Sequence, residues 1–332
     1  MALPLDLLRK LSRNKPKDAW KTIFNHAWEI CTKPITAKNP AGEVSKRDRE
    51  IAALDLFLAS AGWDLWTTFE GCTEHTTDAL ADWWKNQDGG KAVLVLDALS
   101  LREAPWIIHG AQARGYELVT AKPMAAELPA DTTPFAKALG YGERGALENN
   151  GAPSTNRLAK AHTDTVAVPW KDCAGLIAGE PRWVLWHQWP DNKVHEWSGA
   201  GKGVEMLAQE AATQLTSDDF WQLIDRLTTG RRLVITSDHG YAATGLFPDT
   251  PEDQAKQLKN MFKSSRHAAV NGAGSSCVPP LDLVVASRHG ENRYVVGRRK
   301  WKSQGGYPTL AHGGLSVLEV ISPFIELARK RS

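Results

Sequence analysis

The chain has 332 residues, 42% hydrophobic and 23% charged, with a formal net charge of +2. That length admits one large α/β domain with an appendage, or two domains, and the composition excludes disordered and fibrous classes. The charge balance excludes a strongly acidic chain and gives no global affinity for nucleic acid.

The first apolar stretch, Ala2 to Leu8, is broken by Pro4 and Asp6. It is too short for a signal peptide, and no apolar run is long enough to span a membrane, so a cytoplasmic protein is expected. Cys31, Cys72, Cys173 and Cys277 are scattered without a Cys-x-x-Cys pair, which predicts reduced thiols. The 14 Trp are expected in core and crevice walls. Leu5-Leu7-Leu8-Leu11, Trp20-Ile23-Phe24-Ala27-Trp28, Ile51-Leu54-Leu56-Phe57-Leu58 and Asp78 to Trp84 recur mostly at three- and four-residue spacing, as helices do. Asp88-Gly89-Gly90 then punctuates, which divides a helical region, 1–88, from a second domain, 89–332.

Beyond that point the texture changes. Ala92 to Leu96, Trp183 to Trp186, Leu233 to Thr236 and Leu281 to Ala286 are continuous apolar runs of strand length, as in strands covered on both faces. Helical spacing fills Gly203 to Thr228, and a last helix is expected from Ser316 to Arg329, kinked at Pro323. Strand–helix alternation predicts an α/β fold with a mostly parallel sheet flanked by helices.

In such sheets, sites form beyond the carboxyl ends of the strands. Asp97 follows the first run, His187 the second with Asp191 and His195 beyond it, and Asp238-His239 the third. With His312 before Gly313-Gly314, three Asp and three His can hold two adjacent divalent ions, an arrangement suited to phosphate-ester hydrolysis. Each residue also has a plainer reading. Asp97 can be a helix cap, Asp238-His239-Gly240 and His312-Gly313-Gly314 turns, and Asp191 to His195 a solvated loop, although a helix there would put both on one face. His187 reads better as a packed, supporting histidine than as a ligand.

A nucleophile is expected where Leu128-Pro129-Ala130-Asp131-Thr132-Thr133-Pro134 enters a helix, whose positive end favours an alkoxide. Thr132 or Thr133 fits, and Asp131 or Thr132 can equally be a plain N-cap. Ser100 is the lesser candidate, expected in the first turn of the next helix and pointing aside. Between Lys256 and Lys302, ten Lys or Arg stand against two acids, Asp282 and Glu291. With Trp301, that stretch predicts contact with an oligonucleotide or cyclic nucleotide, or else a solvated positive face.

Together these residues resemble the alkaline phosphatase superfamily and, within it, the PglZ domain of bacterial phage-defence systems of the BREX type. The resemblance covers roughly residues 91 to 325. It is carried by Val93 to Leu99, by Leu128-Pro129 before Thr132, by His187-x-x-x-Asp191-x-x-x-His195, by Val234 to Tyr241, and by His312 to Ser316 followed by Glu319 and Pro323. It implies an alkaline-phosphatase-like core, with one metal on Asp191, His195 and His312 and the other on Asp97, Asp238 and His239. Thr132 is then the nucleophile, and His187, Thr133, Ser100 and Arg102 support the site or meet substrate. The ions in such families are typically zinc, and the N/O donors also suit manganese. Two features depart from the family pattern. Ala130-Asp131 stands where Ser commonly follows Leu-Pro, and Ser100 stands where an Arg is common, with Arg102 two residues later.

The leading expectation is a two-metal phosphodiesterase acting on nucleotides or oligonucleotides through a phospho-threonine, with protein partners in a defence system. The alternatives are a largely non-catalytic interaction module that binds partners through its helices and Trp residues, and a phosphomonoesterase or mutase with the same metals.

Overall fold

The central apolar runs become buried neighbours in one sheet. The computed structural model describes residues 3–36, 38–86, 89–199, 203–247, 249–303 and 306–330. Its strands are β1 (Gly90–Leu96), β2 (Tyr116–Ala125), β3 (His162–Val166), β4 (Arg182–His187), β5 (Arg231–Thr236), β6 (His267–Ala269), β7 (Asp282–Ser287), β8 (Gly290–Val295) and β9 (Ile321–Arg329). Six form one sheet in the order β2-β9-β5-β1-β4-β3, and β6-β8-β7 form another. In the large sheet β1 is parallel to β4 and β5, and β3 to β4, whereas β9 runs antiparallel to β2 and β5. The α/β class expected from the sequence is the one observed. Along β1, Ala92, Leu94 and Leu96 enter one core and Val93 and Val95 another. Trp183 and Leu185 of β4 divide from Val184 and Trp186 in the same way. Both faces are covered, so the runs are apolar without alternation.

Three segments depart from expectation. The helix foreseen from Ser316 to Arg329 is instead a turn followed by β9. The spacing of Val320, Ile321 and Ile325 suits a helix, but the gap between β2 and β5 takes a strand whose first seven residues are buried. Glu326 is tolerated there because Trp83 Nε1 (2.7 Å) and Arg232 Nη2 (2.6 Å) bond its carboxylate. Pro323 lies opposite Pro123 of β2 and just past the last β5 pair, Thr236 with Phe324, where a strand tolerates a missing N–H. The run at Leu281 is β7, in the antiparallel sheet. Gly203 to Thr228 forms two helices, Val204–Thr216 and Asp218–Thr228, the second capped by Ser217 Oγ accepting from Phe220 N at 3.2 Å.

The N-terminal helices Leu5–Arg13, Pro16–Cys31, Pro40–Leu58 and Thr76–Asn86 follow the spacing read above. Asp88 of the expected boundary lies outside the described residues. These helices pack on the second part: Trp20, Ile23 and Leu54 share a core with Leu128, Ala130 and Leu315 of its loops and with Ile321 of β9. Most of the 14 Trp are buried, and Trp28, Trp63 and Trp197 are partly exposed. Among the described residues no helix is long and apolar enough to cross a membrane.

Candidate metal centre

One edge of the large sheet collects the expected side chains. Asp97 follows β1, Asp238 and His239 follow β5, and the short helix Asp191–Glu196 follows β4. The loop after β2 leads to Thr132, first residue of the helix Thr132–Ala138. Because β9 runs antiparallel, its start lies at this same edge, and the segment before it brings His312.

The ligand atoms of Asp97, Asp238 and His239 lie within 4.8 Å of one another, and so do those of Asp191, His195 and His312. Asp131, His239 and His312 form a third such group. The rings of His239 and His312 stack with centroids 4.4 Å apart, joining the triads. Asp97, Asp238 and His239 are fully buried. Asp191 and His195 do share one helical face. The Asp191 carboxylate lies 3.3 Å from His195 Nε2 and 3.7 Å from His312 Nε2. Thr132 Oγ1 donates to Asp238 Oδ2 at 3.0 Å and lies 3.3 Å from Asp97 Oδ1. The backbone is shaped to match. Ala98 adopts φ 59, a strained value for a residue with a side chain, and its N–H donates to Asp238 Oδ1 at 2.9 Å. At Gly240 a Cβ would lie 2.1 Å from Leu318 O, so only glycine lets the loop pass.

Burial, with Asp238 and Asp191 nearby, holds the Asp97 carboxyl well above the usual carboxylate range. Burial opposes a charge on His239, yet Asp238, Asp97 and Asp191 push it up to about 9. Burial likewise acts against ionised Asp191, but His195 and His312 bring it down to about 2. Asp191 raises His195, while burial and His239 lower His312. Carboxylates are in excess, and the cluster draws positive charge. His239 Nδ1 sits 2.8 Å from Gly240 O, which leaves Nε2 facing the carboxylates, buried and without a hydrogen-bond partner. Asp191 Oδ1 and His312 Nδ1 are also buried without partners. One ring nitrogen held by a carbonyl and the other left open is the usual state of a metal-ligating histidine. The residues therefore fit two divalent ions with mixed N/O ligands.

His187 sits as the packed, supporting histidine expected: Nε2 lies 2.8 Å from Val168 O, Nδ1 accepts from Trp189 N at 2.9 Å, and burial lowers it to about 4. It holds the turn before Asp191. Ser100 precedes its helix, which starts at Ala104, and is buried, with Oγ accepting from Arg102 Nη1 at 3.1 Å. Arg102 cannot clamp a phosphate, being buried against Asp48 and Tyr241 O. Thr133 is exposed. Half of the basic stretch is engaged in ion pairs: Arg266 with Glu319, Arg288 with Asp78, Arg293 with Asp282, Arg298 with Asp55 and Lys300 with Asp249. Trp301 is buried and donates to Lys263 O at 2.7 Å, so it stacks on no base.

Two residues at the centre went unnoticed in the sequence. Arg144, partly exposed, bonds Asp97 Oδ2 through Nη1, and Trp186 Nε1 donates to the same oxygen at 3.2 Å. Trp186 was legible as part of β4. No local pattern marks Arg144, which starts the turn Arg144–Asn150.

No protein-family model matches the chain, and no curated protein matches it. Among solved structures the chain is similar to murine ectonucleotide pyrophosphatase/phosphodiesterase 5. That likeness has 9% identity and a TM-score of 0.46, over 72% of this chain and 88% of that one. An inactive form of that enzyme in complex with AMP gives 10% identity and a TM-score of 0.44, over 73% and 88%. At these values neither likeness decides function.

Proposed function

We propose that the chain is a PglZ-type member of the alkaline phosphatase superfamily, a two-metal hydrolase that cleaves a phosphodiester with Thr132 as nucleophile. The observation that carries this reading is the meeting of Thr132 Oγ1 with Asp97 and Asp238 where the two Asp/His triads adjoin. Asp191, His195 and His312 would hold one ion and Asp97, Asp238 and His239 the other. A zinc pair, or manganese, supplies neutralisation of phosphate oxygens and a lowered pKa for the attacking hydroxyl. Thr132 Oγ1, which faces Asp238 Oδ2, attacks phosphorus as its proton is released to solvent. The bond from phosphorus to the leaving oxygen breaks, and that oxygen takes up a proton. Water then displaces Thr132 from the phospho-threonine, restoring its hydroxyl and releasing a phosphomonoester. Arg144, at the rim, is placed to meet a phosphoryl oxygen. In this reading residues 89–332 carry the chemistry and 1–88 brace it. A nucleotide substrate, a role in phage defence, protein partners and a cytoplasmic setting rest on the motif resemblance.

Thr132→Ala tests the reading. With zinc or manganese supplied, hydrolysis of bis(4-nitrophenyl) phosphate is expected to fall on the order of 10³-fold or more, with metal content by elemental analysis unchanged. Full activity in that variant would remove Thr132 from the mechanism.

A further inference from the structure

A cavity of about 360 Å³ opens beside the candidate centre. Asp131, His195 and His312 line one part of it, and Ser198, Ser303 and Tyr307 contribute hydroxyls elsewhere. No Lys or Arg is among its described lining residues. Any group that a substrate places here meets hydroxyls, apolar surface, the two imidazoles and one fixed negative side chain.

That side chain is Asp131. Its Oδ1 accepts from Thr132 N at 2.7 Å, which ties the carboxylate to the backbone of the proposed nucleophile. It also stands within 4.8 Å of ligand atoms of His239 and His312. No described cation forms an ion pair with it, and Arg144, the basic side chain at the centre, is engaged by Asp97. The charge balance follows, granted the two-metal reading above. Asp97, Asp191, Asp238 and Asp131 cancel two divalent ions, and Arg144 leaves a single positive charge. A monoanion neutralises that charge, whereas a dianion leaves an unbalanced negative charge against the buried triad of Asp97, Asp238 and His239.

We infer that Asp131 selects substrate by charge. With it, the site takes a monoanionic phosphodiester whose uncharged, hydroxyl-bearing group occupies the cavity. It rejects a dianionic monoester, and any substrate that would place a further phosphate there. This rests on the hydrolase reading and goes beyond it in assigning the charge class and the residue that sets it.

The experiment compares zinc-loaded, desalted wild type with Asp131→Asn and Asp131→Glu. Asparagine keeps an oxygen to accept from Thr132 N, so the cap survives, and glutamate keeps the charge. Binding of inorganic phosphate and of dimethyl phosphate is measured by titration calorimetry at about pH 8, where the first is mainly a dianion and the second a monoanion. In parallel, kcat/KM is measured for 4-nitrophenyl phosphate and bis(4-nitrophenyl) phosphate. Asp131→Asn is expected to tighten phosphate binding about tenfold or more while shifting dimethyl phosphate much less. The diester-to-monoester ratio of kcat/KM should fall by a similar factor, and Asp131→Glu should retain wild-type discrimination. Equal shifts for both ligands in Asp131→Asn would overturn the inference, leaving Asp131 a cap. Loss of zinc from that variant would overturn it too, making Asp131 a ligand. Both outcomes leave the hydrolase reading standing if the wild type still cleaves the diester. A zinc-loaded wild type that binds neither anion and cleaves neither ester would end both readings.

Discussion

Two clusters of charged side chains lie inside this chain, built on opposite plans. Behind the loops, Asp48 and Asp55 of the helix Pro40–Leu58 meet Arg102 and Arg298. Arg102 Nε lies 2.9 Å from Asp48 Oδ1, Arg298 bonds both carboxylates, and Val317 N donates to Asp55 Oδ1 at 2.7 Å. Two acids face two bases, and almost every polar atom has a partner. At the sheet edge, Asp97, Asp191 and Asp238 crowd together with three histidines, with Arg144 the only Arg or Lys bonded to them among the described residues, and ring nitrogens and a carboxylate oxygen are left over. Leaving a buried charge unpaired is strongly destabilising. The first cluster is therefore a fastening that closes on itself, whereas the second leaves ring nitrogens and a carboxylate oxygen open, as the proposed metal site requires. Buried charge alone did not separate them; charge imbalance did.

The largest way to break this contrast is Asp48→Ala, which leaves Arg102 and Arg298 buried and short of a partner. Its expected cost is about 3–5 kcal/mol, read as a lower urea midpoint of the metal-free protein. Because Arg102 Nη1 also donates to Tyr241 O at 2.7 Å, two residues beyond His239, zinc affinity should weaken as well. A midpoint within error of wild type would show that the network fastens nothing. Next in size is the metal itself. Zinc at a hundredfold excess over its Kd should stabilise the wild type by about 2.7 kcal/mol. A thermal melt indifferent to both zinc and manganese would remove the distinction between open site and fastening.

What the sequence made legible follows from this difference. Asp97 and Asp238 could be placed because each follows an apolar run, and a run of that kind ends at the sheet edge where ligands gather. His312 had no such strand before it; its delivery depends on β9 reversing direction, which helical spacing concealed. The edge strands β2 and β3 are half-exposed and carry mixed sequence, so periodicity passed over them. Arg144 and Asp48 were illegible for another reason. Their partners, Asp97 and Arg102, lie 47 and 54 residues away, and a bond across that distance leaves no periodic trace. Which charges of the stretch from Lys256 to Lys302 are paired could not be read, because a sequence shows charges without their partners. Arg266 finds Glu319 at 2.6 Å, and Arg288 reaches back to Glu70 at 3.1 Å.

The smallest expected effect sharpens the comparison most, because its sign inverts. Asp238 Oδ1 accepts from Ala98 N at 2.9 Å and from His239 N at 3.0 Å, while Oδ2 faces Thr132 Oγ1 and lies 3.5 Å from His239 Nε2. Asp238→Asn keeps the first oxygen as an acceptor and replaces the second by an NH2. The metal-free site then loses one of its crowded negative charges and no backbone hydrogen bond. Above about pH 9, where His239 is neutral and no longer offsets Asp238, the metal-free variant should therefore melt above the metal-free wild type, by about 2 °C for a gain on the order of 1 kcal/mol. With zinc the order should reverse, since the variant lacks a ligand oxygen and takes up less metal by elemental analysis. A residue of the fastening cannot behave this way: Asp48→Asn lowers stability with or without zinc, because it weakens pairs that already balance. If metal-free Asp238→Asn also melts below wild type, the carboxylates at the sheet edge are compensated within the chain, and the two clusters do not differ in kind.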